Sequence, residues 1–304
     1  MTNLGSKALL VSMHATCWSA KKVDADVSRS ATDAYGADAE AGRFLKNLIQ
    51  NEHLEEVKKL QRQARGTHTM LTMPWDDRGA RLLPIQNHTE YQQTMDDLIL
   101  KMSAEKKRFM GTYGDSIENA RVALGRMFHE EEYPSVDGID ERIGMTYEFS
   151  PVPDRSHLES LVGSVPEITL ESLRQATDRQ VQIKLTEATN WLYGWVHEIA
   201  TYVEDRLTPD PETGRPKVFQ VTMVKHLERL SANLDGFNMI EDPMLKRIAE
   251  DLEPVVDSIG GNANRLREGS CDFSNLAHDR TYWWAKHTVK TLDTYFGVMK
   301  EVSC

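Results

Sequence analysis

Asp76 and Asp77, with His68 upstream and His88 downstream, are the residues whose type and spacing could bind a divalent metal. Carboxylate oxygens and imidazole nitrogens are both suitable ligands. Adjacent aspartates before Gly79 are also typical of a polar turn whose carboxylates accept backbone N–H bonds. We favour the turn and keep a metal-dependent hydrolase that uses Asp76 and Asp77 as an alternative. The predicted structural or interaction motif comprises Pro74, Trp75, Asp76, Asp77, Arg78 and Gly79.

Aromatic and basic side chains offer a second chemistry, the stacking of nucleobases beside a phosphate-binding cation. Trp283 and Trp284 follow Arg280 closely. Because adjacent helical residues point about 100° apart, we expect one tryptophan in the core and the other on a groove or partner surface. A run of three basic residues in the first half of the chain is more typical of a solvated helix face. The residues expected to contact nucleic acid, if the chain binds it, are Lys106, Lys107, Arg108, Arg280, Trp283 and Trp284.

Composition limits the classes of function. The chain has 304 residues and a formal net charge of −11, with a sequence pI near 5.4. This charge disfavours nucleic acid, which would need a local basic patch. Three widely separated cysteines fit neither a disulfide framework nor a paired zinc motif, which favours a reducing cytoplasm. The apolar run near the start is too short to span a bilayer, so we predict a soluble cytoplasmic protein without membrane contact.

Familiar catalytic motifs are missing from the sequence. It contains no Walker-type phosphate loop and no GxGxxG, GxSxG, HExxH or EF-hand motif. Each of these motifs carries a defined chemistry, so a non-enzymatic role is favoured over an enzymatic one. We predict no catalytic residue, no metal ligand and no cofactor.

Hydrophobic spacing predicts short extended pieces and helices in the first half of the chain. Residues 7–20 are typical of a strand or the first turn of a buried helix. Residues 43–65 have helical spacing, which Gly66 could end. Helical spacing continues over residues 89–128, and the glycines within it predict a kinked arm or two consecutive helices.

Residues 145–149 alternate and carry β-formers before two prolines, which predicts an edge strand. Its expected partner is the extended piece at residues 69–73. Such a pairing would form a small β patch between helical arms.

Residues 167–207 are the longest periodic segment, and a helix of this length would extend on the order of 60 Å. Such a helix needs an antiparallel partner. The proline-rich residues 208–216 predict a turn, and residues 218–234 supply a returning apolar stripe.

The last part of the chain is predicted to contain two further helices. Asp242 followed by proline is typical of a helix start, and Pro254 is expected to bend or end that helix. Two glycines at 260 and 261 mark a break. Residues 277–302 then carry the pattern of a final helix.

One block of the chain begins with the motif TMPWDDRGARLLP at residues 72–84, continues through Tyr133-Pro134-Ser135 and ends at residues 149–153. This block resembles a family of uncharacterised phage and prophage proteins, a domain of unknown function. The resemblance implies a phage-infected bacterial host. Through similar families, it also implies an AAA+ ATPase of the MoxR type as a partner. It implies no catalytic residues.

These patterns predict a mainly α-helical, elongated protein with a long antiparallel helical hairpin of coiled-coil type and a small β-containing junction. We expect residues 1–66 to form an N-terminal segment, a strand or helix followed by a helix. Residues 67–166 would form the motif-bearing junction with a kinked arm and a short strand, and residues 167–304 the hairpin and C-terminal helices.

The predicted function is that of a non-enzymatic phage-type scaffold or adaptor. Self-association is expected because long amphipathic arms leave apolar stripes that need partners. The expected partners are a second copy, an AAA+ ATPase or another phage or host protein. An accessory protein that binds single-stranded nucleic acid is the first alternative, and the metal-dependent hydrolase is the second.

Overall fold

The structure is a computed structural model that describes residues 4–76, 79–154, 158, 162, 164–208, 221–266 and 276–302. Within these residues the chain is mainly helical, as predicted, with a few short strands. The strands are β1 (Ala8–Thr16), β2 (Lys21–Asp24), β3 (Phe44–Asn47), β4 (Met73–Pro74), β5 (Arg81–Pro84) and β6 (Gly144–Pro151). The helices are α1 (Ala25–Ala34), α2 (Glu52–Met70), α3 (His88–Gly111), α4 (Tyr113–Leu124), α5 (Val136–Arg142), α6 (Glu167–Leu207), α7 (Val221–Phe237), α8 (Pro243–Ile259) and α9 (Leu276–Val302). Over the described ranges, no helix has the length and apolar character needed to cross a bilayer.

The chain forms two compact units, and each is discontinuous in sequence. Unit 1 contains Met1–Val11, Met70–His88 and Phe149–Cys304, whereas unit 2 contains Ser12–Thr69 and Thr89–Glu148. Each unit therefore combines segments that are far apart in the chain. The three consecutive segments expected from the sequence stay a prediction.

The four-stranded sheet has the strand order β4-β5-β1-β6. β5 pairs antiparallel with β1, where Leu82 faces Leu10, and with β4, where Leu82 faces Met73. The edge position predicted for residues 145–149 is confirmed, but the predicted partner at 69–73 is wrong, because β6 lies next to β1. Alternation identifies a strand and its buried face without identifying its neighbour.

Helix α6 spans the predicted residues, but only its second half is deeply packed. Between Leu185 and Leu207 its buried residues recur every three or four positions, which is the period of one apolar helix face. Before Leu185, Leu170 is the one buried residue of α6. α9 is the main partner of α6, and α7 contacts it less. The long hairpin with residues 218–234 is thus not confirmed, and its predicted turn lies outside the described residues from position 209.

Unit 2 has an aromatic core built by α3 and α4. The rings of Phe109 and Tyr113 meet edge to face with centroids 5.6 Å apart, and Trp18 meets Tyr113 in the same way at 6.0 Å. Edge-to-face contacts are favourable because the positive edge of one ring meets the negative face of the other. Two consecutive helices form here, one of the two predicted alternatives: α3 ends at Gly111, and α4, which includes Gly114, begins after Thr112.

A buried lysine joins the β2–β3 ribbon to the rest of unit 2. The Lys46 ammonium lies 3.0 Å from Asp24 Oδ2 and 2.9 Å from Glu132 Oε2, and it donates a hydrogen bond to the Met127 carbonyl at 2.7 Å. Burial lowers the pKa of Lys46, but the bonds to Glu132 and then Asp24 outweigh it and raise the pKa above its ordinary value. Lys46 therefore remains a charged ammonium.

Some predicted boundaries are wrong for identifiable reasons. Residues 44–47 form a strand paired with β2 instead of the first turn of the helix predicted over 43–65. Gly66 lies inside α2, since one glycine costs only about 1 kcal/mol relative to alanine in a packed helix. Pro254 lies inside α8, which ends instead at the left-handed Gly260. The ambiguous residues 7–20 contain a strand, β1.

Candidate functional site

Helices α8 and α9 of unit 1 pack together and position the two adjacent tryptophans. Asp242 caps α8 as predicted: its Oδ1 accepts bonds from the backbone N–H groups of Met244 and Leu245 at 2.8 and 3.0 Å. The buried residues of α8 recur every three or four positions and form one face: Leu245, Ile248, Leu252, Val255 and Ile259. Residues beside this face line a groove along α9.

Trp283 and Trp284 lie on different faces of α9. Trp284 is 2% exposed and belongs to the core, whereas Trp283 is 57% exposed. This confirms the prediction that one tryptophan packs while the other faces a surface. The Trp283 ring stacks on His287 with centroids 3.9 Å apart, and His287 Nδ1 donates to the Trp283 carbonyl at 3.1 Å. The exposed indole is therefore held by its own helix.

Two adjoining cavities lie beside Trp283 and Trp284, and together they form what we call the tryptophan groove. One cavity of about 460 Å³ is lined by Asp251, Pro254, Val255, Asp279, Arg280 and both tryptophans. The other, of about 530 Å³, is lined by Met244, Arg247, Ile248, Asp251, His287 and both tryptophans. The predicted residues Arg280, Trp283 and Trp284 are thus brought together at one surface.

The buried indole nitrogen of Trp284 has no hydrogen-bond partner among the residues that the structure describes. A buried N–H group without an acceptor costs about 1–3 kcal/mol.

The charges in the groove balance one another. Arg247 and Arg280 are exposed, and neither forms an ion pair with a described residue. Asp251 and Asp279 lie in the same groove, and Asp279 Oδ1 is 3.3 Å from His278 Nδ1. Two formal positive charges therefore face two formal negative charges, in contrast to the net charge of −11 of the whole chain.

The basic run on α3 belongs to unit 2, and most of its charge is neutralised. Lys106 Nζ lies 2.8 Å from Asp140 Oδ1, and Arg108 pairs with Glu105 one turn earlier. Lys107 is exposed and has no ion pair in the described chain. These contacts favour the predicted solvated helix face over a phosphate-binding patch.

The described residues of the motif at residues 74–79 have the contacts expected beside a polar turn, which stays the favoured interpretation. Asp76 Oδ1 accepts a bond from the Ala80 backbone N–H at 3.1 Å, and Gly79 has a φ of +97°, which glycine adopts without strain. Trp75 is 8% exposed and packs in the core of unit 1 with Met73 and Leu82. Pro74 belongs to β4, and the remaining two residues of the motif, Asp77 and Arg78, lie outside the described residues.

The histidines of the metal alternative have other contacts. His68 Nδ1 lies 2.8 Å from the Tyr91 hydroxyl, and the His88 ring packs on Phe149 with centroids 4.8 Å apart. In the described ranges, no group of three or more histidine, cysteine, aspartate or glutamate side chains could hold a metal ion.

Sequence reasoning did not assign Arg247, Asp251, Asp279 or His287 to this groove. His287 follows Trp283 by four positions, and this helical spacing was a signal for their stacking. Arg247 had no such signal, because it reaches the groove only through the packing of α8 on α9.

The chain matches no protein-family model, no curated protein and no solved structure in the three comparisons with known proteins.

Proposed function

We propose that this chain is a non-enzymatic interaction protein, of the phage scaffold or adaptor type, which self-associates through the tryptophan groove. The observation that carries the proposal is Trp283, a large aromatic residue that is 57% exposed. It lies beside an apolar cavity and two arginines that form no ion pair with a described residue. Tryptophan and arginine are enriched among the residues that dominate binding energy at protein interfaces. A rigidly held indole also loses little conformational entropy on binding.

The balance of charges in the groove favours a second copy of the chain as the partner. In a two-fold contact, each residue of one surface meets a different residue of the same surface on the other copy. Arg247 or Arg280 of one copy can therefore face Asp251 or Asp279 of the other. Trp283 of each copy can then occupy the cavity beside Pro254 of the other.

The expectation from sequence places self-association on the arm, residues 167–234, as a hairpin of coiled-coil type. Ile168 and Ile183 support a contribution from the first half of α6, since they are 82% and 51% exposed. A cytoplasmic location in an infected host, with an AAA+ ATPase as a further partner, completes the proposal. The location is proposed from the cysteine content and from the resemblance to phage proteins, and the ATPase partner is proposed from that resemblance.

Sedimentation velocity over a range of micromolar concentrations tests self-association. We expect the wild-type chain to form a dimer and Trp283→Ala to remain monomeric with an unchanged far-UV circular dichroism spectrum. Tyr35→Ala is the matched control, because Tyr35 is an aromatic residue that is 89% exposed in unit 2. Ile168→Asp tests the arm.

A wild-type chain that stays monomeric would refute self-association. If Ile168→Asp abolishes the dimer and Trp283→Ala leaves it intact, the interface lies on the arm and not in the groove.

A second candidate function, the binding of single-stranded nucleic acid, is favoured by the placement of Arg280 beside Trp283. An indole and a guanidinium at one surface can bind a base and its phosphate. Fluorescence anisotropy with a labelled single-stranded oligonucleotide at low salt tests this function. Binding should weaken steeply as salt is added and in Trp283→Ala. No binding at low salt would eliminate this candidate.

A further inference from the structure

A second cavity in unit 1, of about 380 Å³, lies between α6, the start of α8 and α9. Its volume falls in the range of small-molecule sites, roughly 300–1,000 Å³. Apolar side chains form one part of its wall: Leu4, Leu185, Met239 and Ile240. The polar part contains Gln182, Thr186, Thr189, Asn190, Tyr193, Asp242 and Tyr295. We call this space the tyrosine cavity.

The two tyrosines form an aromatic wall. Their rings lie 4.5 Å apart between centroids and are inclined by 42°. Burial and the adjacent Asp242 carboxylate raise the pKa of Tyr193, and burial raises that of Tyr295. Both phenols are therefore neutral at physiological pH.

Three of the hydroxyl groups that line the tyrosine cavity already donate their proton in a hydrogen bond to the protein. Tyr295 donates to Asn190 Oδ1 at 3.3 Å, Thr189 donates to the Leu185 carbonyl at 2.8 Å and Thr186 donates to the Gln182 carbonyl at 3.0 Å. A hydroxyl has one proton and two acceptor lone pairs. These groups consequently offer acceptors to a ligand.

Among the described residues that line the cavity, none is a lysine or an arginine, and Asp242 is the one acidic residue. Its backbone N–H donates to Asn238 Oδ1 at 2.7 Å, and the Asn238 amide donates to its carbonyl at 2.9 Å. The carboxylate also caps α8, where its Oδ1 accepts two backbone N–H bonds. Two hydrogen bonds therefore fix the backbone of Asp242 and two fix its carboxylate. A nearby cation, Lys7, is already paired with Glu241 at 2.6 Å.

We propose that the tyrosine cavity binds a small organic cation, an amine or guanidinium compound with a short aliphatic chain. Its charged group would lie at Asp242 and the tyrosine rings, where a carboxylate, hydroxyl lone pairs and aromatic faces all favour a cation rich in N–H donors. Its aliphatic part would contact Leu185 and Met239. This site is separate from the tryptophan groove and does not depend on self-association.

Isothermal titration calorimetry with 1,5-diaminopentane and with agmatine, at about 0.15 M salt, tests the proposal. We expect saturable binding of one molecule per chain and no binding of the neutral 1,5-pentanediol. Asp242→Asn should weaken binding about tenfold or more, because it removes the charge that faces the cation. Asparagine is also a good helix cap, so the fold should be retained.

The matched control is Asp279→Asn, which changes the net charge of the chain equally but lies in the tryptophan groove. Unchanged binding in this variant supports the assignment. An equal loss in both variants would show non-specific attraction to an acidic chain and would overturn it, as would the absence of saturable binding at millimolar concentration. If Asp242→Asn does not fold, the same titration with Tyr295→Phe tests the site. This variant removes one acceptor, and we expect it to weaken binding severalfold; unaltered binding would refute the site.

Discussion

Replacement of Trp75 by alanine tests whether the motif at residues 74–79 is structural. Trp75 is 8% exposed and packs with Met73, Leu82 and the helices of unit 1. Removal of a buried tryptophan side chain leaves a cavity that costs about 3–5 kcal/mol of unfolding free energy. Asp76→Asn should cost about 0.5 kcal/mol or less, because Asp76 is exposed and an asparagine oxygen can still accept the bond from Ala80.

Urea unfolding followed by far-UV circular dichroism measures both changes. Tyr35→Ala serves as the control, since a large aromatic side chain is removed at a position that is 89% exposed, and it should cost less than about 0.5 kcal/mol. Trp75→Ala should lower the midpoint more than Asp76→Asn and Asp77→Asn combined. The reverse order, with a stable Trp75→Ala protein and a function lost through the aspartates, would show that the motif is a chemical site.

Three further predictions concern acid stability, capping and exposure. The Val27 N–H and then the Lys46 ammonium hold the pKa of Asp24 below its ordinary value. The stability that Asp24 contributes is therefore complete above about pH 4 and is lost as the pH falls through the lower pKa of Asp24 in the folded protein. Asp24→Asn should make the urea midpoint depend less on pH in this acid range. An unchanged dependence of the midpoint on pH would contradict this prediction. Asp242→Ala should cost about 1 kcal/mol by removing the α8 cap, whereas Asp242→Asn should cost much less; equal costs in chemical denaturation would be inconsistent with capping. Acrylamide should quench one fluorescence component strongly, and Trp283→Phe should remove that component; strong quenching that persists in the variant would place Trp283 in the interior.

The helices could be predicted because they depend on local spacing. For the same reason it could be predicted that one of Trp283 and Trp284 is buried while the other faces a surface. The 3.6-residue period in the sequence predicts α6, and the pair Asp242-Pro243 predicts the start of α8. The strand at residues 44–47 could not be recognised in the same way, because its conformation depends on pairing with residues 21–24. The tyrosine cavity was also hidden, since Asn190, Asp242 and Tyr295 meet only through tertiary packing.

The discontinuity of unit 1 has a consequence for synthesis on the ribosome. Strand β1 carries Leu10, which belongs to one core with helices that are made much later, and Lys7 bonds with Glu241, 234 residues further along the chain. At roughly 5–20 residues per second, that partner emerges tens of seconds after Lys7. The segments of unit 2 are complete well before then. Unit 2 can therefore fold during translation, while β1 cannot complete its packing until the helices from α6 onward have left the ribosome.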